Sequence, residues 1–418
     1  MDYTDKVVCV YDYGLFVELA VRLSQDFGKV YYYNPTQKSA FPTSKNAWVG
    51  YGIDGVIQVD DFWDVVDEVD LFVFTDLYDA DLQEHLVGMG KRVWGLRRIE
   101  DLETDRELLR NTQKDLGLSV PDTTIITGTD ELKTYLQENE NVYVKISYYR
   151  GDAETFHHIN WAQTEPWFTD LESKLGLQKN DIEFFIEQPI EGVEAGWDSY
   201  TIDGEFPNKM LFGYEIKDVG YLGKFINYPQ DAPSKLVKIN EAFKPLYEMN
   251  KARGFFSTEV RVNETNEYLL DYCARCGSPP CEVFQEMYAN LADIMWFGAE
   301  GDLIEPQLNA QYCGLVMIHS SWAQKGKWQP IFFPPEMRRW VKIKNLAVYK
   351  GNYYSVPAIT DLAEIGAVIA IGNSYQDVID KLNEYSSQIS GYEIDIKTGS
   401  SEQAMEAINE GERYGIVY

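Results

Sequence analysis

Over its first hundred residues the chain alternates short apolar strands with helical stretches, and from Phe184 to Val262 that rhythm gives way to strands joined by tight turns. The first pattern is restrictive. Strands separated by helices pair in parallel, because each crossover returns the chain to the same end of the sheet, and a parallel sheet needs helices on both faces. Lys6-Val-Val-Cys-Val-Tyr11 is one such strand, followed by a turn at Gly14 and the helical period through Leu15, Phe16, Leu19, Ala20 and Leu23. Val30-Tyr-Tyr-Tyr33 and Asp70-Leu-Phe-Val-Phe74 supply two more. Residues 1–95 therefore read as an amino-terminal doubly wound α/β domain, with ligands expected at the carboxyl ends of its strands.

The next stretch, Glu100 to Arg110, is helical by period, with Thr104 and Asp105 as capping candidates, and it stops at Gly117. Strands follow at Thr123–Ile126 and Val142–Lys145 around a helix at Asp130–Leu136. Asp203-Gly204 and Asn263-Glu-Thr-Asn266 mark hairpin turns, the second joining Ser257–Val262 to Glu267–Asp271. Beyond Gln307 come strands at Cys313–Ile318 and Ala367–Ala370 and a helix at Gln376–Glu384. The whole is expected to be α/β and α+β multidomain. Residues 96–306 form a central domain, with 121–188 as a mobile lid, and 307–418 form a small carboxyl-terminal α+β domain.

Length and charge narrow the function. A chain of 418 residues can build several cores. With 37 basic against 67 acidic residues, a formal charge of −30, it repels nucleic-acid backbones, so a small-molecule partner is expected and nucleic acid is not. No run of apolar residues is long enough for a membrane span, and the start, Met1-Asp-Tyr-Thr, does not read as a secretory signal. Cys273, Cys276 and Cys281 lie close together without a nearby His, and five cysteines in all argue against a disulfide framework. Free thiols around a packed turn, in a reducing cytoplasm (the host's, for a viral chain), are the expectation.

Chemistry concentrates in the second hairpin. Side chains alternate along a strand, so Asp271, Cys273 and Arg275 share a face, and Glu259 across the hairpin brings a second carboxylate to it. Hard oxygen ligands of this kind suit Mg²⁺, and a guanidinium suits a phosphoryl group in transfer. A solvated salt-bridge network would use the same residues. Lys145 ends an apolar strand and precedes the loop Ser147–Ala153, in which Arg150 and Gly151 could close over phosphates. Phe184-Phe-Ile-Glu-Gln-Pro-Ile-Glu-Gly-Val-Glu194 leads an apolar strand into a Pro-interrupted linker whose backbone could meet an adenine edge, with Glu194 placed to accept from ribose hydroxyls. His157 and His158 are adjacent in a strand and point oppositely, so a shared metal site is not expected.

The order of these pieces resembles the ATP-grasp superfamily, and most of all its phosphoribosylamine–glycine ligases. The stretches that carry the resemblance are Thr104-Asp-Arg106, Gly117-Leu-Ser-Val-Pro121, Val144-Lys145, Glu187 to Glu194 and Asp271-Tyr-Cys-Ala-Arg-Cys-Gly-Ser-Pro279, and it extends to Gly366–Ser374. It implies ATP and Mg²⁺ (or Mn²⁺) as cofactors, with Arg106, Lys145 and Arg150 at the phosphates, Glu187 and nearby backbone as far as Ile190 at the adenine edge, and Glu194 at the ribose. Glu259, Asp271 and Cys273 take the metal-binding places. Arg275 faces the transferring phosphoryl group, and Lys217 and Lys224 fall in or beside a loop near the phosphates, Lys224 in a catalytic role. The chain departs from the family pattern at Arg106 (Lys in the family), Asp271 (Glu), Cys273 (Asn) and Ala367 (Arg near the sugar phosphate), which weakens phosphoribosylamine as substrate more than it weakens ATP binding.

The resemblance implies a ligase that joins a carboxylate to an amine through an acyl phosphate, as a monomer or homodimer. A kinase on the same fold and a nucleotide-binding protein with weakened catalysis are the alternatives.

Overall fold

The structure, a computed structural model, describes residues 1–37, 48–146, 155–216, 219–357, 363–397 and 400–417. The amino-terminal part is a parallel sheet of β1 (Tyr3–Tyr11), β2 (Phe27–Tyr33), β3 (Val56–Gln58), β4 (Leu71–Phe74) and β5 (Arg92–Trp94), in the order β3-β2-β1-β4-β5. Its helices are α1 (Val17–Leu23) and α2 (Ala80–Gly88). Both faces of β1 are buried, Val8 and Val10 in one apolar cluster with Leu19 and Leu23, Cys9 and Tyr11 in another with Phe72 and Phe74. That accounts for the unbroken apolar runs of these strands. The strand order reverses between β1 and β4, and the crevice at their carboxyl ends holds Asp12, Thr75 and Asp76.

Two short helices, α3 (Asp101–Thr104) and α4 (Arg106–Asp115), lead to an antiparallel sheet of four strands. It comprises β6 (Thr123–Thr127), β7 (Val142–Lys145), β8 (Thr155–His158) and β9 (Glu183–Glu187), ordered β6-β9-β7-β8, with α5 (Thr129–Glu138) and α6 (Trp161–Leu175). One face packs on these helices through Ile126, Val144, Phe168, Phe184 and Ile186. Strand parity then sends Lys145, Phe185 and Glu187 to the other face.

The rest is dominated by a nine-stranded antiparallel sheet. Its first part is β10 (Val193–Ile202), β11 (Lys209–Ile216), β12 (Gly220–Asn227), β13 (Arg253–Val262) and β14 (Glu267–Cys273), with α7 (Ser234–Asn250) covering one face. The β10–β11 connection begins with a tight turn at Asp203 (φ 51°) and Gly204 (φ 92°), and the β13–β14 turn closes with Asn263 N–H donating to Asn266 O at 3.0 Å, as the sequence signals predict. Trp197, Phe212, Val260 and Tyr272 point to α7 and pack with Phe243 and Tyr247. Residues of opposite parity are left for the other face.

After α8 (Pro280–Met287) and α9 (Leu291–Glu300), β15 (Tyr312–Ser320) pairs with β12, so the sheet runs on past residue 306. Beyond α10 (Ser321–Gln324) the remaining strands are β16 (Gln329–Ile331), β17 (Val341–Ile343), β18 (Leu346–Tyr349), β19 (Asn352–Ser355), β20 (Glu364–Gly372) and β21 (Ile394–Ile396). β20, β17 and β21 extend the large sheet, while β16-β19-β18 form a small one. Helix α11 (Tyr375–Ser386) covers β15 and β20, and α12 (Ser400–Gly411) packs on β10, β11 and β12. Among the described residues no helix is long and apolar enough to cross a membrane.

Candidate active site

The four-stranded and nine-stranded sheets face each other across a cleft of about 280 Å³. Its wall includes α4. The sequence pattern predicts one helix through Glu100–Arg110, but the chain breaks at Asp105, whose extended backbone lets its side chain accept from Leu108 N–H at 2.9 Å and start a new helix. The buried face of α4 is Arg106, Leu109, Arg110 and Gln113, a helical stripe made mostly of polar residues. Such a stripe is expensive to bury unless every group is satisfied.

The satisfying partners come from both sheets. Arg110 donates to Glu187 Oε1 from Nε at 2.9 Å and from Nη2 at 2.6 Å, and to the Leu269 and Leu270 carbonyls at 3.1 and 2.9 Å. Gln113 Nε2 also reaches Leu269 O, at 2.8 Å. Lys145 Nζ lies 3.3 Å from Glu187 Oε2 and 3.1 Å from Asp271 Oδ2, and Arg106 Nη1 lies 2.5 Å from Asp271 Oδ1. Burial alone would raise Asp271, but Lys145 and Arg106 outweigh it and hold the carboxyl far below its usual range. Glu187 is held low in the same way, by Lys145 and Arg110 against its own burial.

The floor is acidic. The β10–β13 and β13–β14 registers set Gly196 opposite Glu259 and Glu259 opposite Asp271, and Glu194, Glu215 and Asp198 line the same cleft. Glu194 is paired with Arg261 at 2.5 Å. Glu259 makes no hydrogen bond or ion pair with the described residues, and burial, then Glu194, Asp271 and Glu215, push its carboxyl well above the ordinary value.

At the inner end, Glu103 at the close of α3 accepts from Ala274 N–H at 2.6 Å and from Arg275 Nε at 2.9 Å, and Asp76 at the crevice of the parallel sheet lies 3.7 Å from the same nitrogen. Arg275 is thus tied to the end of β4. Asp198 accepts from Tyr221 at 2.7 Å and from the Ser257 hydroxyl, and burial raises it to about 6.

The sequence-derived candidates are thereby sorted. Arg106, Lys145, Glu187, Glu194, Glu259, Asp271, Cys273 and Arg275 come together in or beside the cleft. Glu187, expected at an adenine edge, instead spends its carboxylate on Arg110 and Lys145, which leaves only backbone there for a base; Ile190 is half-buried in the β9–β10 connection. Cys273 Sγ, expected as a metal ligand, faces Arg275 O at 3.8 Å, and a thiol is a poor partner for a hard cation. Lys224 is not in the cleft: it shares parity with Leu222 and Ile226 and lies over the Tyr312 ring at 5.6 Å, whereas Tyr221 faces the cleft. Arg150, with the whole loop Ser147–Ala153, and Lys217 lie outside the described residues. His157 and His158 do point apart, the first stacked on Tyr143 and the second buried against Thr164. Sequence reasoning missed Arg110, Glu103 and Asp198. The signal for Arg110 was its position one turn after Arg106.

No protein-family model and no curated protein sequence matches the chain. Solved structures do. A phosphoribosylamine–glycine ligase from Thermotoga maritima superposes with TM-score 0.69 at 15% identity, over 94% of this chain and 99% of that one. The chain has the ATP-grasp fold. A biotin carboxylase domain of 2-oxoglutarate carboxylase from Hydrogenobacter thermophilus, in complex with MgADP and bicarbonate, matches with TM-score 0.66 at 12% identity over 96% and 94%. N5-carboxyaminoimidazole synthetase from Staphylococcus aureus, complexed with ADP, matches with 0.56 at 12% over 91% and 96%. At these identities the ATP-grasp likeness speaks for the course of the chain, and the chemistry rests on the residues.

Proposed function

We propose that the protein is an Mg²⁺- and ATP-dependent, ADP-forming ligase that joins a carboxylate to an amine through an acyl phosphate, acting in the cytoplasm. The observation that carries this reading is the convergence of Arg106 and Lys145, from α4 and the four-stranded sheet, on Asp271 beside Glu259, which has no hydrogen-bond or ion-pair partner among the described residues. Two cations at one carboxylate are poised to take phosphate oxygens in its place, which would release Asp271 towards a metal.

The fit to Mg²⁺ is favourable. Glu259 and Asp271 are adjacent hard ligands in an acidic floor, and the raised Glu259 carboxyl is the strain a divalent cation would relieve. Among the described residues no three His, Cys, Asp or Glu side chains form a ready metal cage. A Mg²⁺ held by one or two carboxylates and substrate phosphates needs none. When bound it would neutralise phosphate charge as the phosphoryl group moves.

The residues supply the remainder by position. Arg106 and Lys145 would hold the phosphates, the β9–β10 backbone would meet the base, and Arg275, fixed by Glu103 and Asp76, would face the phosphoryl group and the acyl phosphate. Closure of the sheet around 121–188 would exclude water from that intermediate. The acid and amine are left general. The crevice of the parallel sheet presents Asp12, Asp76 and Asp79, a poor setting for the sugar phosphate that the name of one structural neighbour would suggest. A weakened nucleotide-binding protein keeps two favourable observations, the departures at Cys273 and Arg106, and a kinase on the same fold keeps none.

Asp271→Asn is the test. It should bind ATP while losing Mg²⁺-dependent ADP release by about 100-fold or more, read in a coupled ADP assay. Wild-type turnover in that variant would sink the metal assignment.

A further inference from the structure

Attack of an amine on an acyl phosphate leaves the nitrogen with a proton to lose, so a base must stand within reach of the cleft. Among the described residues no histidine lines it. Glu103 and Glu194 are paired with arginines, Glu215 is not free, and Glu259 and Asp271 face the metal position. Asp198 has a hydrogen bond on each oxygen, from Tyr221 and Ser257.

One carboxylate just behind the wall differs. Ser278 lines the cleft three residues after Arg275, and its hydroxyl donates to Glu282 Oε1 at 3.0 Å. Glu282 stands in the first turn of α8, is 5% exposed, and its Oε2 has no hydrogen-bond partner among the described residues. A buried oxygen without a partner is costly, and a proton is the smallest thing that can use it.

Resting on the ligase reading, we propose that Ser278 and Glu282 form a relay that takes the proton from the attacking amine. As the C–N bond forms, an amine proton passes to Ser278 Oγ while the Ser278 hydroxyl proton passes to Glu282. The C–O bond to phosphate then breaks and phosphate leaves with that electron pair. Glu282 afterwards gives its proton to the departing phosphate or to solvent, and the site is reset.

The surroundings suit a group that changes state near neutrality. Burial raises Glu282, Lys344 lowers it, and Glu364, itself paired with Lys344, raises it again; the outcome is about 7. Glu286, one turn along α8, is neutralised by Arg339 and Lys342 and adds little charge.

The test uses the full chain with Mg²⁺-ATP, the twenty amino acids as carboxylate probes, and either ammonia or hydroxylamine as the amine. Hydroxylamine captures acyl phosphate without needing a base. Glu282→Gln should lower amide formation from ammonia by about 100-fold or more and remove its limb near pH 7, while hydroxamate formation persists. Ser278→Ala should do the same if Glu282→Gln fails to fold. The protonated-carboxyl infrared absorption that titrates near neutral pH, to which Asp79 also contributes, should be smaller by one carboxyl in Glu282→Gln than in the wild type. Undiminished amide formation in the folded variants, a limb that follows Asp198→Asn instead, or an absorption unchanged in Glu282→Gln overturns the relay alone. A wild type that forms neither hydroxamate nor amide overturns the ligase reading and the relay with it.

Discussion

Arg110 shows how a residue outside the reacting groups can decide whether they meet. It joins Glu187 of the four-stranded sheet to the β14 carbonyls, and Glu187 in turn steadies Lys145. Arg110→Ala would leave a buried carboxylate with one partner fewer and take a donor from two carbonyls, of which Leu269 O keeps Gln113, so a loss of about 3–5 kcal/mol is expected, seen as a lower urea midpoint; a loss under about 1 kcal/mol, the surface-pair range, would contradict this. At this scale the sequence reveals groups whose spacing is their signal. Asp271, Cys273 and Arg275 share parity and do share the cleft. Arg110, Glu103 and Asp198 were hidden because a polar residue at a buried position looks like one in water until its partner, far away in sequence, is known.

Among the elements, β11 and β12 carry a less obvious device. A Cβ on Gly213 would sit 1.9 Å from the Tyr221 hydroxyl, and one on Gly223 would sit 2.8 Å from its ring. The two glycines let Tyr221 lie across the strands and hold Asp198. Gly213→Ala should therefore displace the tyrosine at about 1–3 kcal/mol, and should do so much less when Tyr221 is replaced by Ala, which removes the ring atoms at 2.1 and 2.5 Å along with the hydroxyl; equal losses in both backgrounds would refute the steric account. Strand and helix positions were legible wherever the apolar period was clean, as in β1, β4, β7 and α5. The break between α3 and α4 was legible only in part: Asp105 was a capping candidate and does cap α4, but the period from Glu100 reads as one helix because Asp105 fits a helix surface as well. Lys224 was misplaced for want of parity: one residue's shift moves a side chain through the sheet.

For the molecule as a whole, the acids divide into two sets with opposite pH behaviour. Burial leads the causes that raise Asp12 and Asp198 to about 6 and Asp79 and Glu282 to about 7. For these, the folded state binds more protons than the unfolded one between the ordinary carboxylate range and pH 6–7, so stability falls as pH rises through that window. Asp271, Glu187 and Glu286 are lowered, and their contribution is lost as pH falls below the ordinary range. The thermal midpoint should thus peak near pH 5, and a midpoint still rising from pH 5 to 8 would refute this. At this scale the two kinds of sheet were readable from connection lengths, but the joining of β12 to β15 was not, since pairing across a long interval leaves no local trace.

That joining bears on whether the last third of the chain can be removed. A chain ending at Pro306 would strip β12 of the partner that now pairs Gly220 to Lys224 with Tyr312 to Val316. The row of amide and carbonyl groups so exposed, beside an uncovered Leu222, is a template for other copies of the same strand. Such a fragment should run in the void of a sizing column, and a monodisperse one that binds ATP would show that the nucleotide half closes its own edge.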